Sequence, residues 1–263
     1  DVEEYFDHFI NRSQSISYNR QHNRFDIREE CSFLELLLYS RPSKLLQSQE
    51  SKQEFKKLLI ELIQKEGLEL LSWSKKASNL RSRINFLNEQ KKMNNELNVK
   101  FPDFSDENLL DSVEFWLEPY LDNITTIKEL ETLDLYSILL GEISWENQQL
   151  LEKLVPPHIT VPSGSKIYID YSNNQIPILA VRLQEMFGLN ETPKIFNNNV
   201  PLQMHLLSPA KRPIQITYDL KSFWDSSYEE VRKELCGKYK RHYWPKNPYE
   251  AVATSKTEKN MNK

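Results

Sequence analysis

"PPHITVPSGSKIYIDY", residues 156–171, divides the chain and decides its fold class. Two consecutive prolines, Pro156 and Pro157, disfavour helix in the residue ahead of them and mark a segment boundary. Beyond them the pattern is strand, turn, strand. Ile167, Ile169 and Tyr171 alternate onto one face, and residues 162–165 supply the turn. Net charge changes sign at the same place. Residues 1–155 hold 19 basic and 28 acidic side chains, a net of −9, whereas residues 156–263 hold 15 and 10, a net of +5, within a chain total of −4. A polarised chain of this kind makes different electrostatic demands from an evenly charged one.

Upstream of the boundary two patterns follow one another. Residues 16–42 read as two or three strands around a polar turn at 19–23, with Phe25 and Ile27 alternating and an apolar run over 33–39. That is too little to close a sheet alone, so it is read as the last part of a β domain. From 51 to 155 the period becomes helical. Ser51 and Glu54 stand at capping-box spacing before Phe55, Leu58, Leu59, Leu62 and Ile63, with Gly67 as the stop. A second helix is expected over about 77–92 through Leu80, Ile84 and Leu87. A third follows Ser105 or Asp106 and should kink or end at Pro119. Shorter helices are expected at 126–140, where Thr126 and Glu129 repeat the capping spacing, and at 145–154, capped by Ser144. An antiparallel helical array is the economical arrangement.

Downstream, "PILAVRLQEMFG" reads as a short helix stopped by Gly188. "VPLQMHLL" and "RPIQITYD" read as strands joined across "SPAK", and a final helix starts at Asp219 or Ser226 with Val231 and Leu235 on its buried face. Residues 254–263 are polar and are expected to be a disordered tail.

The composition, 39% hydrophobic and 27% charged, supports real cores in a chain of 263 residues. There is no apolar run of membrane-spanning length, and the chain begins with Asp, so the expectation is a piece of a longer cytoplasmic protein without a membrane span. Cys31 and Cys236 lie in no pair spacing and are read as reduced and structural. Candidate reactive groups fall away on inspection. "PSGSK" lacks the first glycine of a nucleotide loop, with Ile159 in its place, and its Lys166 follows the hydroxyl residue instead of preceding it. His158, Ser163, Ser165 and Asp170 have the residue types of a nucleophilic triad but no reason to converge. His205 reads as a core or interface histidine, and Glu229 with Glu230 as a solvated helix face. No catalytic or metal-binding residue is assigned.

"VRKELCGKYKRHYWPKNP", residues 231–248, survives this pruning. Lys238, Lys240 and Arg241 can neutralise phosphates, Arg232 and Lys233 extend the patch, and Tyr239, Tyr243 and Trp244 offer rings on which unpaired bases can stack. The competing explanation is that cations gather at a helix C-terminus because the macrodipole favours them there, with the aromatics folded onto the core. Both remain open at this level.

Four blocks, "PPHITVPSGSKIYIDY", "PILAVRLQEMFGL", "VPLQMHLLSPAKRPIQITYDLKSFW" and "YEEVRKELCGKYKRHYWPKNP", resemble in their order the C-terminal region of HrpB-type helicases of the DExH-box family. Upstream, "SYNRQHNRFDIREECSFLELLLYSRP", "KEGLELLSW" and "FPDFSDENLLDSVEFWLEPYL" resemble the stretches leading from that family's OB-like domain into the same region. The resemblance implies an α+β chain in which residues 1–45 end an OB-like domain. Residues 46–155 would form the helical domain, 156–253 a C-terminal mixed α/β domain with a small antiparallel sheet, and 254–263 the tail. It implies a bacterial ATP-dependent RNA helicase as the complete protein, using ATP and Mg, with this fragment carrying neither cofactor nor motor motif. The implied partners are single-stranded RNA or other nucleic acid and the motor domains of the same chain. A protein-docking module without RNA contact is the alternative from another class, and an apolar patch around Trp244 or Met204 would mark it. Three positions depart from the family pattern: Cys236 in place of Arg, Lys240 in place of Pro, and residues 197–199 in place of a Gly-containing turn.

Overall fold

A computed structural model describes residues 7–43, 48–93, 99–173 and 175–261. The expected domain boundary at 45–46 and the last two residues of the expected tail lie outside them. The chain forms two compact units: residues 1–77 with 105–142, and residues 78–104 with 143–263. The helical stretch expected as one array over 46–155 is therefore shared between them. By sequence the first unit holds 13 basic and 23 acidic residues, a net of −10, and the second 21 and 15, a net of +6.

In the first unit, β1 (Ile10–Asn19), β2 (Arg24–Phe33) and β3 (Leu36–Ser43) form an antiparallel meander with Ile16 opposite Ile27. Asn23 turns β1 into β2 at φ 47°, a left-handed conformation that Asn tolerates. Helix α1 (Gln49–Glu66) packs Phe55 edge-on against Phe25, centroids 4.9 Å apart. Its N-cap is Ser48, not Ser51: the Ser48 hydroxyl accepts the Ser51 N–H at 3.1 Å, and Ser51 is buried in the first turn. Gly67 ends it at φ 100°. The expected third helix is broken into α3 (Asp106–Asp111) and α4 (Val113–Trp116), with a 3-10 turn at Glu118–Tyr120 around Pro119. The break falls at Ser112, whose hydroxyl donates back to the Asn108 carbonyl, a bond that competes with the helix ladder. Thr126 and Glu129 do form a capping box, on the 3-10 helix Ile127–Thr132, and α5 (Leu135–Gly141) follows.

The second unit takes the greater part of α2 (Lys75–Met93), from Ser78 onward, then α6 (Trp145–Leu154) and a five-stranded sheet. The strands are β4 (His158–Thr160), β5 (Lys166–Asp170), β6 (Ile178–Arg182), β9 (Gln203–Leu207) and β10 (Pro213–Thr217), in the order β10-β9-β6-β5-β4. A two-stranded ladder, β7 (Lys194–Ile195) with β8 (Val200–Pro201), lies in the crossover from β6 to β9. Two expectations are corrected here. The segment read as a helix begins instead as β6, in which Leu179 and Val181 are buried while Ala180 is exposed, a period of two hidden within an apolar run. It passes into a 3-10 turn, Leu183–Met186. Because β6 pairs in parallel with β9, the sheet is mixed and not antiparallel throughout.

The final helix opens at Asp219, whose carboxylate accepts the Ser222 N–H at 2.9 Å, and runs through Ser226 without stopping. It comprises α7 (Leu220–Ser222), a π turn over Phe223–Ser227 and α8 (Tyr228–Lys238). The wider turn brings Phe223, Trp224 and Tyr228 all into the core. Residues 254–261, expected to be disordered, are held in place. The Thr254 N–H donates to the Gln184 carbonyl and the Glu258 N–H to the Arg241 carbonyl, each at 3.0 Å. Bonds between backbone groups leave no trace in composition.

Arg83 on α2 is buried, and its Nε donates to the Val155 carbonyl at 2.6 Å. Its Nη2 reaches Leu151 O at 3.4 Å and Glu152 at 2.8 Å. Glu152 is 56% exposed, so the ion pair is weak and the carbonyl contacts dominate. Arg83→Met is expected to cost about 2–4 kcal/mol in chemical denaturation, because a buried carbonyl loses its donor. Glu152→Gln should cost less than about 1 kcal/mol.

Candidate nucleic-acid interface

Helix α8 carries alternating charge, and the pairs neutralise one another. Lys233 lies 3.7 Å from Glu229, and Lys238 is hydrogen-bonded to Glu234, both at i,i+4 spacing. Arg232 is turned inward: its Nε donates to the Trp244 carbonyl at 3.0 Å and Nη1 lies 3.6 Å from Glu229. These cations are explained by the helix.

The aromatics are engaged too. Trp244 is 8% exposed and donates its indole N–H to the Tyr239 carbonyl at 3.1 Å. Tyr239, half-buried, meets the Ser208 hydroxyl at 3.3 Å, and Tyr243 stands perpendicular to Phe187 with centroids 6.3 Å apart. Tyr228 donates to the Pro245 carbonyl at 2.7 Å, and burial raises its hydroxyl pKa well above the usual range. Residues 239–245 are thus sewn back along α8.

Lys240 and Arg241 remain, exposed in the turn between Tyr239 and His242, with no ion pair among the described residues. They are joined by cations from elsewhere in the unit. The Tyr239–Ser208 contact places this turn beside the β9–β10 connection, where the Ser208 N–H donates to the Arg212 carbonyl, the Arg212 N–H donates to the Ser208 hydroxyl, and Lys211 takes φ 60°. Arg212 is close enough to oppose the charge of Lys238. Arg182 ends β6 opposite Leu207, and its charge reaches His242. Lys211, Arg212 and Arg182 were not among the sequence candidates. The only sequence signal was a basic pair in a turn, "SPAKR", which becomes informative once β9 and β10 are placed. Of the rejected candidates, Ser163 donates to the buried Glu185 at 2.9 Å and to Ser165, and not to His158. His205 pairs with Gln203 at 3.0 Å. In the first unit a cleft of about 650 Å³ is lined by Lys52, Lys56 and Asp122 among others, and its Lys56 is already paired with Asp122 at 2.8 Å.

A family model described as ATP-dependent helicase C-terminal (HrpB_C) matches residues 116–248, about half of the chain. The chain belongs to this family. It is 40% identical to the ATP-dependent RNA helicase HrpB of Escherichia coli (strain K12) over 213 residues, 80% of this chain and 25% of that protein. Among solved structures it is similar to the crystal structure of the E. coli DExH-box NTPase HrpB (TM-score 0.72, 34% identity, 97% of this chain and 31% of that one). It is also similar to that of the E. coli DEAH/RHA helicase HrpB (TM-score 0.64, 33% identity, 90% and 29%). The chain thus spans about a quarter of the length of the curated relative it matches. The HrpB-type resemblance read from the four blocks is borne out. In the turn between β7 and β8, Phe196, Asn197 and Asn198 all adopt positive φ.

His242 gives the interface a proton-linked property. Its Nδ1 is buried without a hydrogen-bond partner among the described residues, and burial, followed by repulsion from Arg182, holds its pKa below 6.5. The unfolded chain then binds the proton more readily, so this contribution to stability is complete above pH 6.5 and declines as pH falls below it. His242→Gln is expected to reduce the drop in Tm between about pH 7 and about pH 5, measured by calorimetry.

Proposed function

We propose that this chain is an accessory region of a DExH-box RNA helicase in which the basic second unit contacts RNA and the acidic first unit scaffolds the rest of the protein. The observation that carries this reading is the convergence of Lys240, Arg241, Lys211, Arg212 and Arg182 at one end of a unit with net charge +6. Such a face neutralises phosphates and steers a polyanion toward it. In this reading the complete protein couples ATP hydrolysis, with ATP and Mg held in its motor domains, to movement on RNA in the cytoplasm. The fragment supplies grip. Arg232, Lys233, Lys238, Tyr239, Lys240, Arg241, Tyr243 and Trp244 then divide into two roles. Lys240 and Arg241 face the ligand, with Lys233 and Lys238, each paired along α8, at the margin, while Arg232 and the three aromatics hold the turn in shape.

The docking alternative has support in the first unit. Leu34, Leu36 and Leu37 are each more than half exposed at and beside β3, and Phe9 is 52% exposed. Isolated exposed leucines are ordinary, but a cluster on a three-stranded meander is not. We assign that meander to the end of an OB-like domain whose protein contacts cover the leucines. In the second unit Met204 and Trp244 are both buried, while Ile216 and Tyr218 are exposed on and beside β10.

Lys238→Gln, Lys240→Gln and Arg241→Gln combined should weaken binding to labelled RNA. The dependence of log K on log salt should flatten by about 1–2, at about 0.7 per lost phosphate contact for a single strand. Lys233→Gln alone should change little. An unchanged affinity and slope in the triple variant would remove the assignment.

A further inference from the structure

We propose that the cationic end of the second unit reads the phosphodiester backbone of nucleic acid and not its bases, so that single strands, duplexes and strands without bases are held alike. This rests on the reading that the unit contacts nucleic acid, and narrows what it recognises. Proteins that select unpaired strands do so with rings whose faces are free for bases. The rings beside the free cations are buried or half-buried and committed to contacts within the unit. Trp244 is buried under its bond to Tyr239, Tyr239 is tied to Ser208, and Tyr243 lies edge-on to Phe187. The unit's exposed rings lie elsewhere. Tyr218 follows β10 at the end of the sheet away from Arg182, Tyr168 stands near Asp170 and Arg83, and Trp145 opens α6.

The cations have the opposite character. Arg182, Lys211, Arg212, Lys240 and Arg241 come from three separate segments, form no ion pairs among the described residues, and are held together by backbone bonds and the Tyr239–Ser208 contact. Like charges gathered on one face oppose one another, and Arg212 also lies near Lys238 and Arg182 near His242. Counter-charge from phosphates relieves that opposition whatever base the phosphate carries. Flexible exposed side chains clustered by charge alone give grip without sequence or strand selection. For a region attached to a motor this is a useful separation, because a contact indifferent to sequence and strandedness does not stall at particular bases.

The test uses the 263-residue chain and three ligands with equal numbers of phosphates: a single-stranded RNA, an abasic strand and an RNA duplex. At one salt concentration the three dissociation constants should agree within about threefold, since each carries the same phosphate count. Arg212→Gln, Lys240→Gln and Arg241→Gln together should weaken all three by a common factor of about ten or more. A loss of tenfold or more on removing the bases, or an equal preference for single strand over duplex, would overturn the proposal while leaving RNA contact intact. No binding of any of the three would overturn both it and the function on which it rests.

Discussion

The chain must pass from helix α6 into the sheet through two prolines, and neither Pro156 nor Pro157 has an N–H to offer the orphan carbonyls at the helix end. Every carbonyl across the junction is answered from another part of the second unit. The Phe196 N–H takes Leu154 O at 2.9 Å, Arg83 takes Val155 O, the Tyr171 hydroxyl takes Pro156 O at 2.7 Å, and the Ile169 N–H takes Pro157 O at 3.0 Å. Arg83 is the one charged member. Its guanidinium faces the negative end of the α6 dipole in the unit's interior, where several donors in a fixed fork suit several carbonyls at once. Helix α2, β5 and the β7–β8 turn all meet at this point. The left-handed backbone of Phe196 belongs to the same set of bonds.

That junction fixes where the sheet begins, and the order of strands then decides which cations meet. With β6 central and parallel to β9, Arg182 and the β9–β10 connection reach the same end of the sheet. Tyr239 closes the arrangement by bonding Ser208 as α8 ends. Within α8 the lysines have glutamates one turn away, so their fields cancel at short range. Beyond the helix the register that supplied those partners is gone, and Lys240 and Arg241 have no ion pair among the described residues. Within one basic stretch the cations on the helix are therefore paired and those in the turn after it are not.

What was legible in the sequence was whatever depends on neighbours along the chain. Leu80, Ile84 and Leu87 announce α2, Thr126 with Glu129 announces its capping box, and the alternation of Phe25 and Ile27 announces the meander. The charge division near Pro156 was legible as well, and sharpens when residues are grouped by compact unit. What was not legible depended on partners far away. "PILAVRLQEMFG" reads as a helix because a five-residue strand buried on one side has too few positions to display its period beside other apolar residues. Ser48 and Ser51 both satisfy the chemistry of a cap, and only backbone conformation chooses between them. Arg182, Lys211 and Arg212 join the cationic turn through strand order alone. The burial of Trp244 depends on Arg232 accepting a structural role, which its place in a basic run conceals.

A flexible turn could carry Lys240 and Arg241 without gathering them, and the segment after Pro245 prevents this. Gly188 donates its N–H to the Pro248 carbonyl at 2.8 Å and lies at φ 78°, and a Cβ there would come within 3.2 Å of the Ala251 carbonyl. The chain crosses so closely that a side chain would push it away. Thr254 is then buried on Gln184, and Glu258 reaches the Arg241 carbonyl. The backbone of the cationic turn is thereby held from both sides, by α8 through Arg232 and Tyr228 and by the returning strap. Like charges resist being collected, so their proximity requires a backbone that is already ordered. The polar C-terminal residues, which on composition alone belong to no core, are the part of the fold that keeps the charges together.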